Sequence, residues 1–186
     1  QYGSMADFEK LVSEAHKRGI EVIIDLVINH SSDQHPWFKS ALDPHSQYRH
    51  WYTWAGKDTD LKAISAVDGP AWHASGKQHY LGDFTGAMPD LNYDEPAVRR
   101  EMIAIGKFWL GKGADGFRLD AARHIYDDLK SDNGQPAVIR KNAQWWSDFR
   151  QGLWQVRPDV YLVGEVSAKQ PGELAPGRRG RGRYRP

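Results

Sequence analysis

The chain has 186 residues, 40% hydrophobic and 26% charged, with no cysteine and a formal charge of +1. That balance suits a globular protein with a sizeable core, while the missing thiols exclude disulfides and thiolate metal centres. No apolar run approaches the ~18 residues of a membrane-spanning helix, and the small net charge hides a split. Residues 169–186 hold six basic residues against one acid, so the rest of the chain stands at −4 and offers no phosphate-binding surface.

In chain order, Ser4-Met5-Ala6-Asp7 has the form of a capping box, a serine with an acid three residues on. Phe8, Leu11, Val12 and Ala15 follow at helical spacing and predict one buried stripe, ended by Gly19. Val22–Ile28 is an apolar strand broken only by Asp25, and it ends in Asn29-His30. Residues 31–93 then lose all periodicity and are rich in Gly, Pro, Asp, His and aromatics. A structureless loop of that length is improbable in a compact domain, so the stretch is read as a small inserted irregular subdomain. Its aromatics suit stacking on sugar faces, but most are read as the core that such a subdomain needs.

Asp94 is the expected cap of the next helix, with Pro96 in its first turn and Val98, Met102, Ile105 and Trp109 inward. Gly111 to Gly116 matches a G-x-G-x-x-G dinucleotide fingerprint by letter. It follows a helix and opens a strand, the reverse of the required context, and is rejected. Gly116-Phe117-Arg118-Leu119-Asp120 is a second strand, continuing into Ala121-Ala122-Arg123-His124. Asp132-Asn133-Gly134 reads as a turn, and a helix from Pro136 carries Trp146, Phe149, Leu153 and Val156 before stopping at Arg157-Pro158. Val160–Val163 is the third strand, ending in Gly164-Glu165-Val166. Residues 168–186 form an aperiodic basic tail, expected to be disordered. Its Arg–Gly composition resembles a nucleic-acid-binding segment, yet equally a shifted reading frame, and the second reading is preferred.

Three nearly continuous apolar strands predict a parallel sheet covered on both faces, as in α/β proteins. Each strand places polar groups at its C-terminal end, where α/β barrels build their sites. Side chains alternate along a strand, so Arg118 and Asp120 share one side and Phe117 and Leu119 the other. A fixed cation favours the ionised form of a neighbouring acid. An isolated Arg-x-Asp therefore reads either as a poised nucleophile or, more plainly, as a structural ion pair.

Asp25-Leu26-Val27-Ile28-Asn29-His30, Gly116 to His124, and Gly164-Glu165-Val166 resemble three signature regions of the alpha-amylase family of retaining glycoside hydrolases. Met88-Pro89-Asp90-Leu91-Asn92 is similar to a fourth. All four occur in the family's order, and the resemblance covers roughly residues 1–167. It implies a TIM (β/α)8 fold, of which three strands make a fragment: barrel parts at 1–30 and 94–167, and an inserted subdomain at 31–93. The strands that would carry the family's last signature and third carboxylate are missing from the pattern. The chain alone is therefore expected to be inactive and to expose strand edges.

By the same resemblance, Asp120 is the nucleophile and Glu165 the general acid, acting on α-1,4-linked glucans or malto-oligosaccharides by a two-step retaining mechanism. Such a pair is expected with carboxyl groups about 5–5.5 Å apart. Arg118, His30, Arg123 and His124 are implied in substrate binding, with Arg118 holding Asp120 in place. Asn29, Asp90 and the backbone carbonyl of His124 are implied as part of a calcium site. Asp25 is read as a buried partner for a neighbouring charge. No organic cofactor, nucleic acid or membrane partner is expected. An α-glucosidase or a trehalose-synthase-like transglycosylase remains the alternative within the family, and a non-catalytic sugar-binding relative the alternative outside it.

Overall fold

In the computed structural model, residues 3–127, 129 and 135–166 are described. The predicted turn at 132–134 and the basic tail lie outside them. The elements are α1 (Met5–His16), β1 (Ile23–Leu26), α2 (Pro36–Ala41), β2 (Trp72–Ser75), β3 (Gln78–Leu81), α3 (Pro96–Gly111), β4 (Gly116–Leu119), α4 (Pro136–Trp154) and β5 (Tyr161–Gly164), with a 3-10 turn at Arg49–Trp51.

The capping box forms as read: Ser4 N–H and hydroxyl donate to the Asp7 carboxylate while Asp7 N–H donates back to the Ser4 hydroxyl. The stripe behind it is narrower than its spacing suggested. Only Val12 is buried, Leu11 is 56% exposed, and Phe8 holds the helix by an edge-to-face contact with Trp109 at 5.3 Å. The cap of α3 is Glu95, not Asp94: the Glu95 carboxylate accepts from Ala97 N–H at 3.0 Å, and Asp94 instead pairs with Lys141.

Three strands form a parallel sheet in the order β1-β4-β5. The two crossovers from β1 to β4 and from β4 to β5 carry α3 and α4, which is how parallel neighbours must be joined. Ile28, Phe117, Phe149, Leu153 and Val98 are fully buried, so the core lies between the sheet and this helix pair. The inward face of α3 is Val98, Met102, Gly106 and Leu110 rather than the predicted Ile105 and Trp109, which are half-buried. Gly106 falls on the helix crossing, where a Cβ would come within 2.7 Å of Leu153. The α4 face is Trp145, Phe149 and Leu153; Val156 lies beyond the helix and is exposed.

The expectation of strands covered on both faces fails. Val27 and Tyr161, 45% and 53% exposed, lie on the side that also carries Asp25, Arg118 and Glu165. A sheet of three strands covers one face with helices and leaves the other to solvent, so burial alternates along β1 instead of running continuously.

Between β1 and α3 the chain forms α2, the 3-10 turn and the antiparallel β2–β3 hairpin. Phe38, Tyr52 and Tyr80 pack edge-on at 4.8–5.0 Å as its centre. An isolated bridge, His30–Asp90, fastens the Met88–Asn92 stretch to the C-terminal end of β1, and a second, Tyr52–Leu91, ties the same stretch to the segment after the 3-10 turn. The Tyr93 hydroxyl reaches the Ile28 carbonyl at 2.5 Å, completing that seam from inside the core.

Candidate active site

Register brings the acids together. Leu119 pairs with Gly164 at the last rung of the β4–β5 ladder, and Glu165 N–H still donates to the Leu119 carbonyl at 2.9 Å. Asp120 and Glu165 therefore follow side by side on neighbouring strands. On the other flank, Asp25 stands directly opposite Arg118.

Arg118 joins all three carboxylates. Its Nη1 meets Asp120 Oδ1 at 2.5 Å and both Asp25 oxygens at 3.0 Å, and its Nη2 lies 2.7 Å from Glu165 Oε2. Planar guanidinium groups favour this forked geometry. Asp25 and then Asp120 hold the guanidinium above its ordinary pKa, so it is a permanent cation. One shared guanidinium also caps the separation of Asp120 and Glu165 at two hydrogen bonds plus its own width. Asp25 was expected to be buried; its side chain is instead 58% exposed, because it projects from the open face of the sheet.

The chain turns sharply after Asp120. Ala121 has φ +47, a left-handed conformation that costs a non-glycine residue about 1 kcal/mol or more. His124 N–H closes the turn on the Ala121 carbonyl. Trp146 of α4 anchors it by donating to the Ala122 carbonyl at 2.9 Å, and Asn142 brackets Tyr126 from both sides. Arg123 is half-buried on this turn.

His30 Nδ1–H donates to Asn29 Oδ1 (2.9 Å), and the ring packs against Phe84, which also contacts His124. Burial lowers its pKa, with the Asp120 charge opposing that in part, so the ring is neutral at neutral pH. Burial alone would also lower His124, but Asp127 and Asp83, each 3.1 Å from its Nδ1, push it up to about 10. His124 is thus an imidazolium clasped by two acids.

Behind this histidine lies a buried acid cluster. Asp83 and Asp90 are each 2% exposed. One Asp90 oxygen accepts from Asp83 N–H at 2.9 Å, while Asp90 Oδ1 has no partner among the described residues. Burial, and then the Asp127 charge, hold the Asp90 carboxyl well above its usual range. The Asn29 amide donates to the His124 carbonyl, joining two of the three residues implied as calcium ligands, and the third, Asp90, is bridged to His30 next to Asn29. An all-oxygen donor set with one unpartnered buried carboxylate oxygen fits a hard divalent cation such as Ca2+. Asp83, His124 and Asp127 also place ligand atoms within 4.8 Å of one another.

Sequence reasoning missed Asp83, Asp127 and the organising part of Asp25. Asp127 is three residues beyond His124, a spacing too common to single out, and nothing local marks Asp83. Asp25 was visible as the one charge in an apolar strand. The rejected glycine pattern does span the end of α3 and the start of β4.

Residues 1–177 match the family model described as the alpha amylase catalytic domain. Alpha-amylase 3 of Dictyoglomus thermophilum is 46% identical over 166 residues, covering 89% of this chain and 30% of that protein. Trehalose-6-phosphate hydrolase of Escherichia coli is 42% identical over 178 residues, 90% of this chain and 32% of that protein. The crystal structure of alpha-amylase from H. orenii superposes with a TM-score of 0.77 at 51% identity, covering 89% of this chain and 32% of that one. The chain spans about a third of the length of the relatives it matches. With two acids carried on adjacent parallel strands, a fold shared with TIM-barrel relatives and a match over nearly its whole length, this chain belongs to the alpha-amylase family of glycoside hydrolases.

Proposed function

We propose that the protein hydrolyses α-1,4-glucosidic bonds in glucans or malto-oligosaccharides with retention of configuration. The observation that carries the reading is the single Arg118 guanidinium shared by Asp120 and Glu165. Glycosidases of this kind work with one carboxyl group as acid and a second as nucleophile. Glu165, 48% exposed, is the more accessible of the two and suits the acid that must meet a leaving oxygen. It gives its proton to the glycosidic oxygen as the bond to the anomeric carbon breaks, while an Asp120 oxygen attacks that carbon from the opposite face. Arg118 fixes Asp120 for the attack, and its contact with Glu165 opens as the acid turns to the substrate. Glu165, now a carboxylate, takes a proton from water, whose oxygen displaces Asp120 from the glucosyl ester. In this reading neutral His30 hydrogen-bonds a sugar hydroxyl, and Arg123, on the turn beside the nucleophile, contributes to the same binding surface.

Calcium belongs to the same reading. Held by Asn29, Asp90 and the His124 carbonyl, it would tie the subdomain to the strand ends as a structural ion.

Retention of both acids argues against a sugar-binding protein without catalysis. Alpha-amylases stand among the relatives, but so do an oligo-1,6-glucosidase and a trehalose-6-phosphate hydrolase, which favour an exo-acting α-glucosidase as the second reading. The test is mass spectrometry of protein from the complete reading frame, treated with a fluorinated glucosyl fluoride that slows the second step. A glucosyl adduct on the peptide containing Asp120, lost in Asp120→Asn, is expected. Product with inverted anomeric configuration would overturn the assignment. Product lengths from maltoheptaose separate the two specificities.

A further inference from the structure

We infer that the aromatic pocket between α2, the 3-10 turn and the first turns of α3 is a second binding site for neutral glucan chains, separate from the acid pair. It is a cavity of about 310 Å³ lined by Trp37, Gln47, Tyr48, Trp51, Ala97 and Glu101. None of these residues touches the acid pair or Arg118, though Trp37 also lines the neighbouring cavity that holds His30.

The three rings make a plate with a wall. Trp37 and Tyr48 lie nearly parallel, 21° apart with centroids 6.3 Å from one another, and Trp51 meets both edge-on at 4.7 and 5.0 Å. All three are half-buried, with part of each surface open to solvent. Their polar atoms distinguish them from the subdomain's core aromatics. Tyr52 bonds Ser31, Trp54 bonds the Arg49 carbonyl and Tyr80 bonds the Gly86 carbonyl. Among the described residues, the Trp37 and Trp51 ring nitrogens, the Tyr48 hydroxyl, the Gln47 amide and the Glu101 carboxylate make no hydrogen bond or ion pair. The lining residues thus carry three donors on aromatic frames, one amide able to donate and accept, and one acidic acceptor, none of them spent on a partner among the described residues.

That combination selects the ligand. A pyranose ring has an apolar C–H face that suits an aromatic plate and a rim of hydroxyls that both donate and accept. Specific pockets are mainly aromatic or apolar with a few directed polar groups, and this volume is at the small end of their range, enough for about one or two sugar units. The lining contains no cation, so a phosphorylated sugar would meet only Glu101, which argues against an anionic ligand. That it is a glucan rests on the hydrolase reading above. That it is a neutral sugar does not.

The experiment is a titration of intrinsic tryptophan fluorescence with β-cyclodextrin, in protein already carrying Glu165→Gln so that nothing turns over. Glu101→Ala and Gln47→Ala are introduced separately, with thermal unfolding followed by circular dichroism to verify folding. Loss of one charged hydrogen bond weakens binding about tenfold or more, and that weakening in Glu101→Ala with an unchanged unfolding midpoint is expected. Trp51→Ala should abolish binding, but it also trims packing, so the two polar variants carry the test. Affinity unchanged in both polar variants overturns the site, as does a complete absence of cyclodextrin binding. The hydrolase reading fails independently: a protein that binds cyclodextrin through Glu101 but forms no adduct at Asp120 keeps the pocket and loses the mechanism.

Discussion

Asp115→Asn tests how the sheet is fastened at the end opposite the acids. Asp115 is 3% exposed, and its carboxylate accepts from His16 Nε2 at 2.8 Å, Val22 N–H at 2.5 Å and Arg157 Nη2 at 2.6 Å. These contacts hold the end of α1, the entry to β1 and the approach to β5 on one group. An asparagine offers one acceptor and an NH2 group, so at least one donor is left facing another donor. Breaking a fully buried pair costs about 3–5 kcal/mol. Arg157 is 27% exposed and keeps its bond to the Ala114 carbonyl, which argues for the lower figure of about 2–3 kcal/mol. The acid dependence fixes the cause. Burial on its own would raise the Asp115 pKa, but the Val22 amide, the His16 bond and the Arg157 charge together hold it below the ordinary carboxylate value. Its contribution is therefore fully present above about pH 4 and is lost as pH falls through the folded-state value. Urea denaturation of both proteins at pH 7 and at stepwise lower pH should show a gap of about 2–3 kcal/mol that closes in acid. A neutral-pH gap under about 0.5 kcal/mol, the range of ordinary surface changes, would refute the reasoning, as would a gap that widens on acidification.

A Cβ on Gly116 would lie 2.0 Å from the Tyr161 carbonyl oxygen. Gly116→Ala should therefore cost about 3 kcal/mol or more by forcing β4 and β5 apart, whereas Gly111→Ala, with nothing within 4 Å, should be neutral or slightly stabilising; urea midpoints of the two compare directly. Calcium at 100 times its dissociation constant should stabilise the protein by about 2.7 kcal/mol. A chelator should reverse the gain, and Asp90→Asn should erase it, both read as shifts in the thermal midpoint. No calcium-dependent shift would count against the site.

What the sequence made legible were the strand ends, because a charge after an apolar run is a strong local signal. Asp120 and Glu165 are legible as the ends of neighbouring strands, since each strand follows one helical segment. Residues whose state depends on distant partners were harder to read. Ile105 has the right spacing for the core of α3, but close approach of Leu153 at Gly106 turns the buried face by one position. Asp94 is the better cap by type, yet the backbone path gives the position to Glu95. Asp83 joins His124 from 41 positions away, a link that no spacing rule contains.

The geometry of the acids is set from behind, by residues that have no chemistry. Phe117 and Leu119, 0% and 4% exposed, face the helices, and alternation then points Arg118 and Asp120 to the open side. A slip of one residue in the β4 register would bury Arg118 and expose Phe117, exchanging a favourable core contact for a buried charge, and is excluded on both counts. The same rung-by-rung pairing sets Asp25 opposite Arg118 and Glu165 beside Asp120. Three carboxylates that would repel one another are thus held around one cation by apolar packing on the far side of the sheet, while the strained turn at Ala121 carries the chain away from Asp120 and leaves its carboxylate at the strand's end.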